Sequence, residues 1–231
     1  MPTASRTLGL AAALALGLGT AAHAAPVTFT QLTGVAGGTL AATGVYRADL
    51  SGLGIGQIAS ITIQDNSALT AGAAGQFSGF DLDAIVISTV LITDASQVGS
   101  LTPAAVLDVA GSILLPGVQA APTDPALFGT SGGAVNNSVA TLETFDGEST
   151  TAIPGAFGFI SLGFGGTLSI NLGAPIPISS PLYLYIGEVG NNGEVADGNI
   201  TVSSVPVPEP MSLALFGLGL AGLGAVARRR A

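Results

Sequence analysis

Residues 211–227 form a stretch of seventeen residues without a single charge, rich in Leu, Ala and Gly. Such a stretch offers water nothing to bind and must be buried in protein or in lipid. As a helix it spans about 25 Å, enough for the hydrocarbon core of a bilayer. Arg228, Arg229 and Arg230 close it. Positive charge favours the cytoplasmic side, so everything before residue 211 is expected outside. Ahead of the stretch stands Val-Pro-Val-Pro-Glu-Pro at 205–210. These prolines stop a helix from running outward and leave an extended segment. A single transmembrane helix at 211–227 is the expectation.

The other end reads as a secretory signal. Arg6 gives a positive start, residues 8–18 are apolar, and Ala22-His23-Ala24 puts small residues where signal peptidase reads them. The apolar run is too short for a comfortable membrane span. Cleavage is therefore expected after Ala24, which removes His23, the only histidine.

Pro208-Glu209-Pro210, the Leu/Gly-rich stretch and the terminal arginines together resemble the PEP-CTERM sorting signal. The resemblance covers about the last two dozen residues. It implies recognition of Pro208, Glu209 and Pro210 by exosortase, a membrane protease-like enzyme that removes the tail. It also implies association with extracellular polysaccharide, floc or biofilm material of Gram-negative bacteria. Residues 161–172 with 182–189, and 78–87, are similar to strand segments of exported bacterial β-sandwich domains, a resemblance that implies no defined activity.

The region between the two ends is acidic. Thirteen of the 14 acidic residues lie between Asp49 and Asp197, against Arg47 alone, a net of −12. A surface so charged repels phosphate backbones, which excludes nucleic acid as a partner, and attracts divalent cations. There is no Cys and no Lys in the chain. Once His23 is gone, Ser-His-Asp and Cys-His catalysis, Schiff-base chemistry and the usual zinc sites are all ruled out. No Gly-rich stretch has phosphate-loop spacing. Paired carboxylates could serve a glycosidase, but the chain has no Trp to stack a sugar, and no catalytic role is expected.

Short β-type runs recur through 26–205, separated by Gly, Asn, Asp and Pro. Residues 58–64 alternate, with Ile61 and Ile63 on one face and Thr62 and Gln64 on the other. Residues 84–93 are nearly all apolar and predict a central strand. Residues 157–162 and 167–172 flank Gly163-Phe164-Gly165-Gly166 and predict a hairpin. Leu168, Ile170 and Leu172 share one face of its second arm. Residues 181–187 and 200–205 complete the set. One helix is expected, with Thr102 as its cap, Pro103 at its first position and 104–109 beyond.

The acidic loops suggest calcium, since hard cations take several oxygen ligands. Asp81-Leu82-Asp83 offers two carboxylates, Asp65-Asn66 a third, with Asp146-Gly147-Glu148 and 191–199 as further candidates. Turns also favour these residue types, and none of the segments has the spacing of an EF-hand loop. Tyr183 and Tyr185 are candidates for an aromatic sugar-binding strip or for packing, and Arg47 for a surface ion pair with Asp49.

The expected organisation is a signal peptide at 1–24, an all-β domain at 25–205 and a sorting segment at 206–231. The domain is expected to be an antiparallel sandwich or jelly roll. Function is expected to be structural or adhesive in an extracellular matrix, after processing by signal peptidase and exosortase. The alternative is a calcium-assisted carbohydrate-binding module. No other cofactor is expected.

Overall fold

The computed structural model of the chain describes residues 24–38, 40–67, 72–148, 158–178, 181–194 and 201–207. Ala22, Pro208, Glu209, Pro210, the apolar tail and Arg228, Arg229 and Arg230 lie outside the described residues. Among the described residues no helix is long and apolar enough to cross a membrane.

Two five-stranded sheets carry the fold. The first runs in the order β1 (Ala24–Pro26), β12 (Thr201–Ser203), β4 (Gln57–Gln64), β10 (Thr167–Pro177) and β6 (Leu107–Leu115). The second runs β2 (Thr30–Gln31), β3 (Thr43–Asp49), β11 (Tyr183–Val189), β5 (Asp81–Ser88) and β9 (Ile160–Ser161). A small ribbon joins β7 (Thr130–Ser131) to β8 (Ala134–Val135), just before the four-residue helix α1 (Asn137–Ala140). Every pairing between these strands is antiparallel.

The alternation in the sequence explains the pairing of β4 with β10. Ile170 lies opposite Ile61 and Leu168 opposite Ile63, all four fully buried. Thr62 and Ser169, opposite each other on the other face, join hydroxyls at 3.0 Å. A one-residue slip would exchange these faces, so burial fixes the register. One apolar core draws Ile61, Ile63, Leu168 and Ile170 from the first sheet and Leu82, Ile85, Ile87, Leu184 and Ile186 from the second.

The second sheet is covered on its other face as well. Val45, Val86 and Tyr185 pack there against Leu32, Ala36, Ile92 and Ala95. This double cover explains why all eight residues of β5 are buried, as the continuous apolar run after Ala84 suggests. The strand nevertheless starts earlier and ends sooner than expected. Ser88 turns the chain by accepting the Val90 N–H and donating to Thr102 O.

Two local expectations are overturned. The hairpin across Gly163–Gly166 does not form, because β9 pairs with β5 in one sheet while β10 lies in the other. Those glycines instead let the chain pass between sheets, with Gly163 N–H bonded to Ser78 O and Gly166 N–H to Gly163 O. The helix after Thr102 is likewise absent. Pro103 pairs with Ser88, Ala104 N–H bonds to Ile87 O, and residues 107–115 form β6. Burial of Leu107 and Leu114 beside β10 outweighs a weak capping signal.

Candidate functional site

Sheet register gathers the carboxylates into groups that the linear order does not suggest. Asp65 follows β4 and accepts from Phe80 N–H and Gly165 N–H, both at 2.9 Å, from Ser67 N–H at 3.2 Å, and from the Ser67 hydroxyl. Four donors saturate it, and they tie three chain segments together. Its role in the structure is that of a clasp.

Asp81 and Asp83 flank the core residue Leu82 on β5 but have different neighbours. Asp83 is fully buried. It accepts from the Thr43 hydroxyl and from Gly147 N–H at 3.2 Å, and faces Asp146. Burial, assisted by the Asp146 charge, pushes its pKa up to about 8. Burial also raises Asp146, whose carboxylate accepts from the Thr141 hydroxyl at 3.1 Å.

Asp81 belongs to a second group. Its Oδ1 accepts from the Ser161 hydroxyl, and its backbone N–H donates to Glu194 Oε2 at 3.1 Å. Burial first, then the nearby Glu194 charge, holds Asp81 well above the usual carboxylate range. Glu188, near the end of β11, completes the group. Burial, then the charges of Glu194 and Asp81, push it up to about 9, and burial pushes Glu194 up to about 7. Tyr46 is raised to about 12 by burial and by the same two glutamates.

Glu188 and Glu194 are 0% and 1% exposed. Glu188 Oε1 and Oε2 and Glu194 Oε1 have no hydrogen-bond partner. The Asn191 N–H favours the Glu188 anion, and the Glu188 and Glu194 carboxyls lie within hydrogen-bonding reach of each other, where a shared proton would join them. Their nearest influences are each other and Asp81, all of one charge sign. Among the described residues no three His, Cys, Asp or Glu side chains form a ready metal cage. Asp65, Asp81 and Asp83 are accordingly not brought together as one ligand set.

Glu188 carries a signal that the sequence reading passed over. Leu182, Leu184, Ile186 and Glu188 share one parity in a strand whose even positions are apolar, so an acid interrupts a core face. Glu194 lies within the 191–199 candidate, but its pairing with Glu188 depends on the loop after β11.

The aromatic candidates separate too. Tyr185 is fully buried, its hydroxyl accepting from Ile92 N–H at 3.0 Å and donating to Val90 O at 2.8 Å. Tyr183 is only partly buried, with the Arg47 guanidinium 6.0 Å from its ring centre. Arg47 Nη1 donates to Ile92 O at 2.8 Å. Hydrogen bonds from Ser51, helped by the Arg47 charge, lower the pKa of exposed Asp49. A cleft of about 700 Å³ lies here, lined by residues including Thr28, Thr30, Arg47, Asp49 and Tyr183.

Ala24, the residue before the expected signal cleavage, opens β1 opposite Ser203, so the start of the expected mature chain is an edge strand. At the other end the described structure stops at Val207. No curated protein and no solved structure matches the chain. Residues 206–230 match the family model of the PEP-CTERM protein-sorting motif. The chain is therefore an exported protein that bears the PEP-CTERM motif through which exosortase sorts its substrates.

Proposed function

We propose that residues 25–205 are a non-enzymatic β-sandwich surface domain, delivered to the cell exterior and acting as a structural or adhesive component of an exopolysaccharide matrix. The observation that carries this reading is the sorting motif at 206–230, which begins directly where the β-domain ends. In the proposed route signal peptidase cuts after Ala24, residues 211–227 hold the intermediate in the inner membrane, and exosortase acts near Pro208-Glu209-Pro210. A net-negative, Lys-free domain suits a role among hydrated polymers, where it stays soluble and does not adhere to anionic lipid.

Mass spectrometry of the mature protein from an exosortase-bearing Gram-negative host tests the route. Termini at Ala25 and near Pro210 are expected. A mature chain that still contains 211–231 would overturn it. Deletion of residues 211–231 should in addition release the protein from the membrane fraction.

A second reading, carbohydrate binding, is favoured by the cleft beside Tyr183 and Arg47. A partly exposed ring next to hydrogen-bonding side chains suits the faces and hydroxyls of a sugar. A glycan array probed with the full chain in detergent separates the two. Binding lost in Tyr183→Ala supports this reading, and no binding above background leaves the structural role.

A further inference from the structure

We propose that Glu188 and Glu194 form a divalent-cation site at the end of β11, taking Ca²⁺ through their buried, unpartnered carboxylate oxygens. The argument is one of unmet polarity. Three carboxylate oxygens on two side chains, at most 1% exposed, have no hydrogen-bond partner. Buried charge without a counter-charge or donor costs several kcal/mol. Native structures rarely leave such atoms unmatched, and an absent ion is a standard reason when they do.

The surroundings are shaped for the carboxylates and supply no positive group. Gly72 makes room for Glu194, since a Cβ there would sit 1.7 Å from Oε1. The Asp81 N–H fixes the other oxygen, Oε2, and Oε1 lies against Gly72 without a hydrogen-bond partner. Arg47 is the sole basic residue of 26–205, and its guanidinium is held by Ile92 O and the Tyr183 ring. What remains to balance the pair is a proton or a bound cation. An all-oxygen donor set with no His or Cys selects a hard ion. Two carboxylates on a strand end and an irregular loop suit Ca²⁺, which tolerates variable geometry and fills its shell with carbonyls and water, better than Mg²⁺.

The test uses the full chain in detergent, stripped with EDTA and held at about pH 8 so that protons compete weakly. Calorimetric titration with Ca²⁺ alone should show one site. Saturation should raise Tm by about 3–6 °C. Glu188→Gln and Glu194→Gln should each weaken binding about tenfold or more. Gln is close in shape to a protonated Glu, so both variants should fold. Absence of Ca²⁺ heat with an unmoved Tm, or full binding by both variants, overturns the site and leaves a proton-sharing pair.

A second readout does not depend on those variants folding. Tb³⁺ bound here should be sensitised by Tyr46, whose hydroxyl feels both glutamates, and Ca²⁺ should displace it. Tyr46→Phe should remove most of the emission and leave the Ca²⁺ heat unchanged. Emission that survives Tyr46→Phe at full strength places the ion elsewhere and overturns the assignment. Both readouts are independent of tail processing, so the site can fail without affecting the sorting route.

Discussion

Asn171 holds Val207 with both ends of its amide: Val207 N–H donates to Asn171 Oδ1 at 2.7 Å, and Asn171 Nδ2 donates to Val207 O at 3.0 Å. The chain just before it is also tied down, with Val205 O accepting from the hydroxyls of Ser60 and Ser203 at 2.9 and 3.0 Å. Val207 immediately precedes Pro208. The link between the β-domain and the sorting motif is thus bonded to β10 and β4, not a slack tether.

Asn171→Ala removes both bonds to Val207. A cost of about 1–3 kcal/mol is expected, because the amide is largely buried and its partners lose their bonds. Urea unfolding measures the stability. Limited proteolysis should show faster cutting at 205–207, since local opening there no longer breaks those bonds. An unchanged midpoint together with an unchanged cutting rate would show that the clasp is not formed in solution.

Tyr185 and Tyr183 are two residues apart on β11 and should respond unequally to loss of the hydroxyl. Tyr185→Phe leaves Ile92 N–H and Val90 O without their shared partner inside the protein, at about 1–3 kcal/mol. Tyr183→Phe, on the partly exposed side, should stay within about 0.5 kcal/mol. Equal effects in a denaturant series would contradict the assignment of Tyr185 as the buried clamp.

Gly79 and Gly163 mark the crossing between the sheets. Gly79 has φ +74°, and a Cβ on it would lie 2.4 Å from the Gly163 carbonyl carbon and oxygen. Gly79→Ala should therefore abolish cooperative folding, through both strain and a backbone clash. Gly99→Ala is the control, because nothing lies within 4 Å of its would-be Cβ. A cooperative melt for Gly79→Ala near the wild-type Tm would mean that β5 and β9 are not joined as described.

Legibility in the sequence follows how local each signal is. Ile61, Ile63, Leu168 and Ile170 announce their shared face because period-two alternation is a property of the strand itself. The Gly163–Gly166 turn misled, since glycines permit a sheet-to-sheet passage as readily as a hairpin, and only pairing partners distinguish them. Pro103 misleads for a related reason: one capping signal is weak beside the pairing of a nine-residue strand with β10 and the burial of its Leu107 and Leu114. The abundance of acids marks a cation-attracting surface, but their grouping is not visible in the linear order. Asp81 meets Glu194 at a sequence distance of 113, and Asp83 meets Gly147 at 64. Such contacts are set by topology, which composition does not encode.

The Asp83 and Asp146 pair gives the protein a definite pH dependence. Around Asp83 stand the Thr43 hydroxyl from β3, the Gly147 N–H and the Asp146 carboxyl, with no cation among them. Its folded pKa, raised to about 8 from 3.8, lies above the unfolded value. The folded state therefore binds the proton more tightly. Its stabilising effect is complete below the unfolded pKa and is lost as pH rises through about 8. The EDTA-stripped chain should accordingly be more stable at about pH 5 than at about pH 8, by on the order of a few kcal/mol. Asp83→Asn, neutral at every pH and still able to accept from Thr43, should make the profile shallower between those values, leaving the slope contributed by Asp81, Glu188 and Glu194. Urea midpoints at a series of pH values give the measurement. A wild-type chain that gains stability from pH 5 to pH 8 in EDTA would mean that Asp83 is ionised in the folded state, and that a counter-charge reaches it.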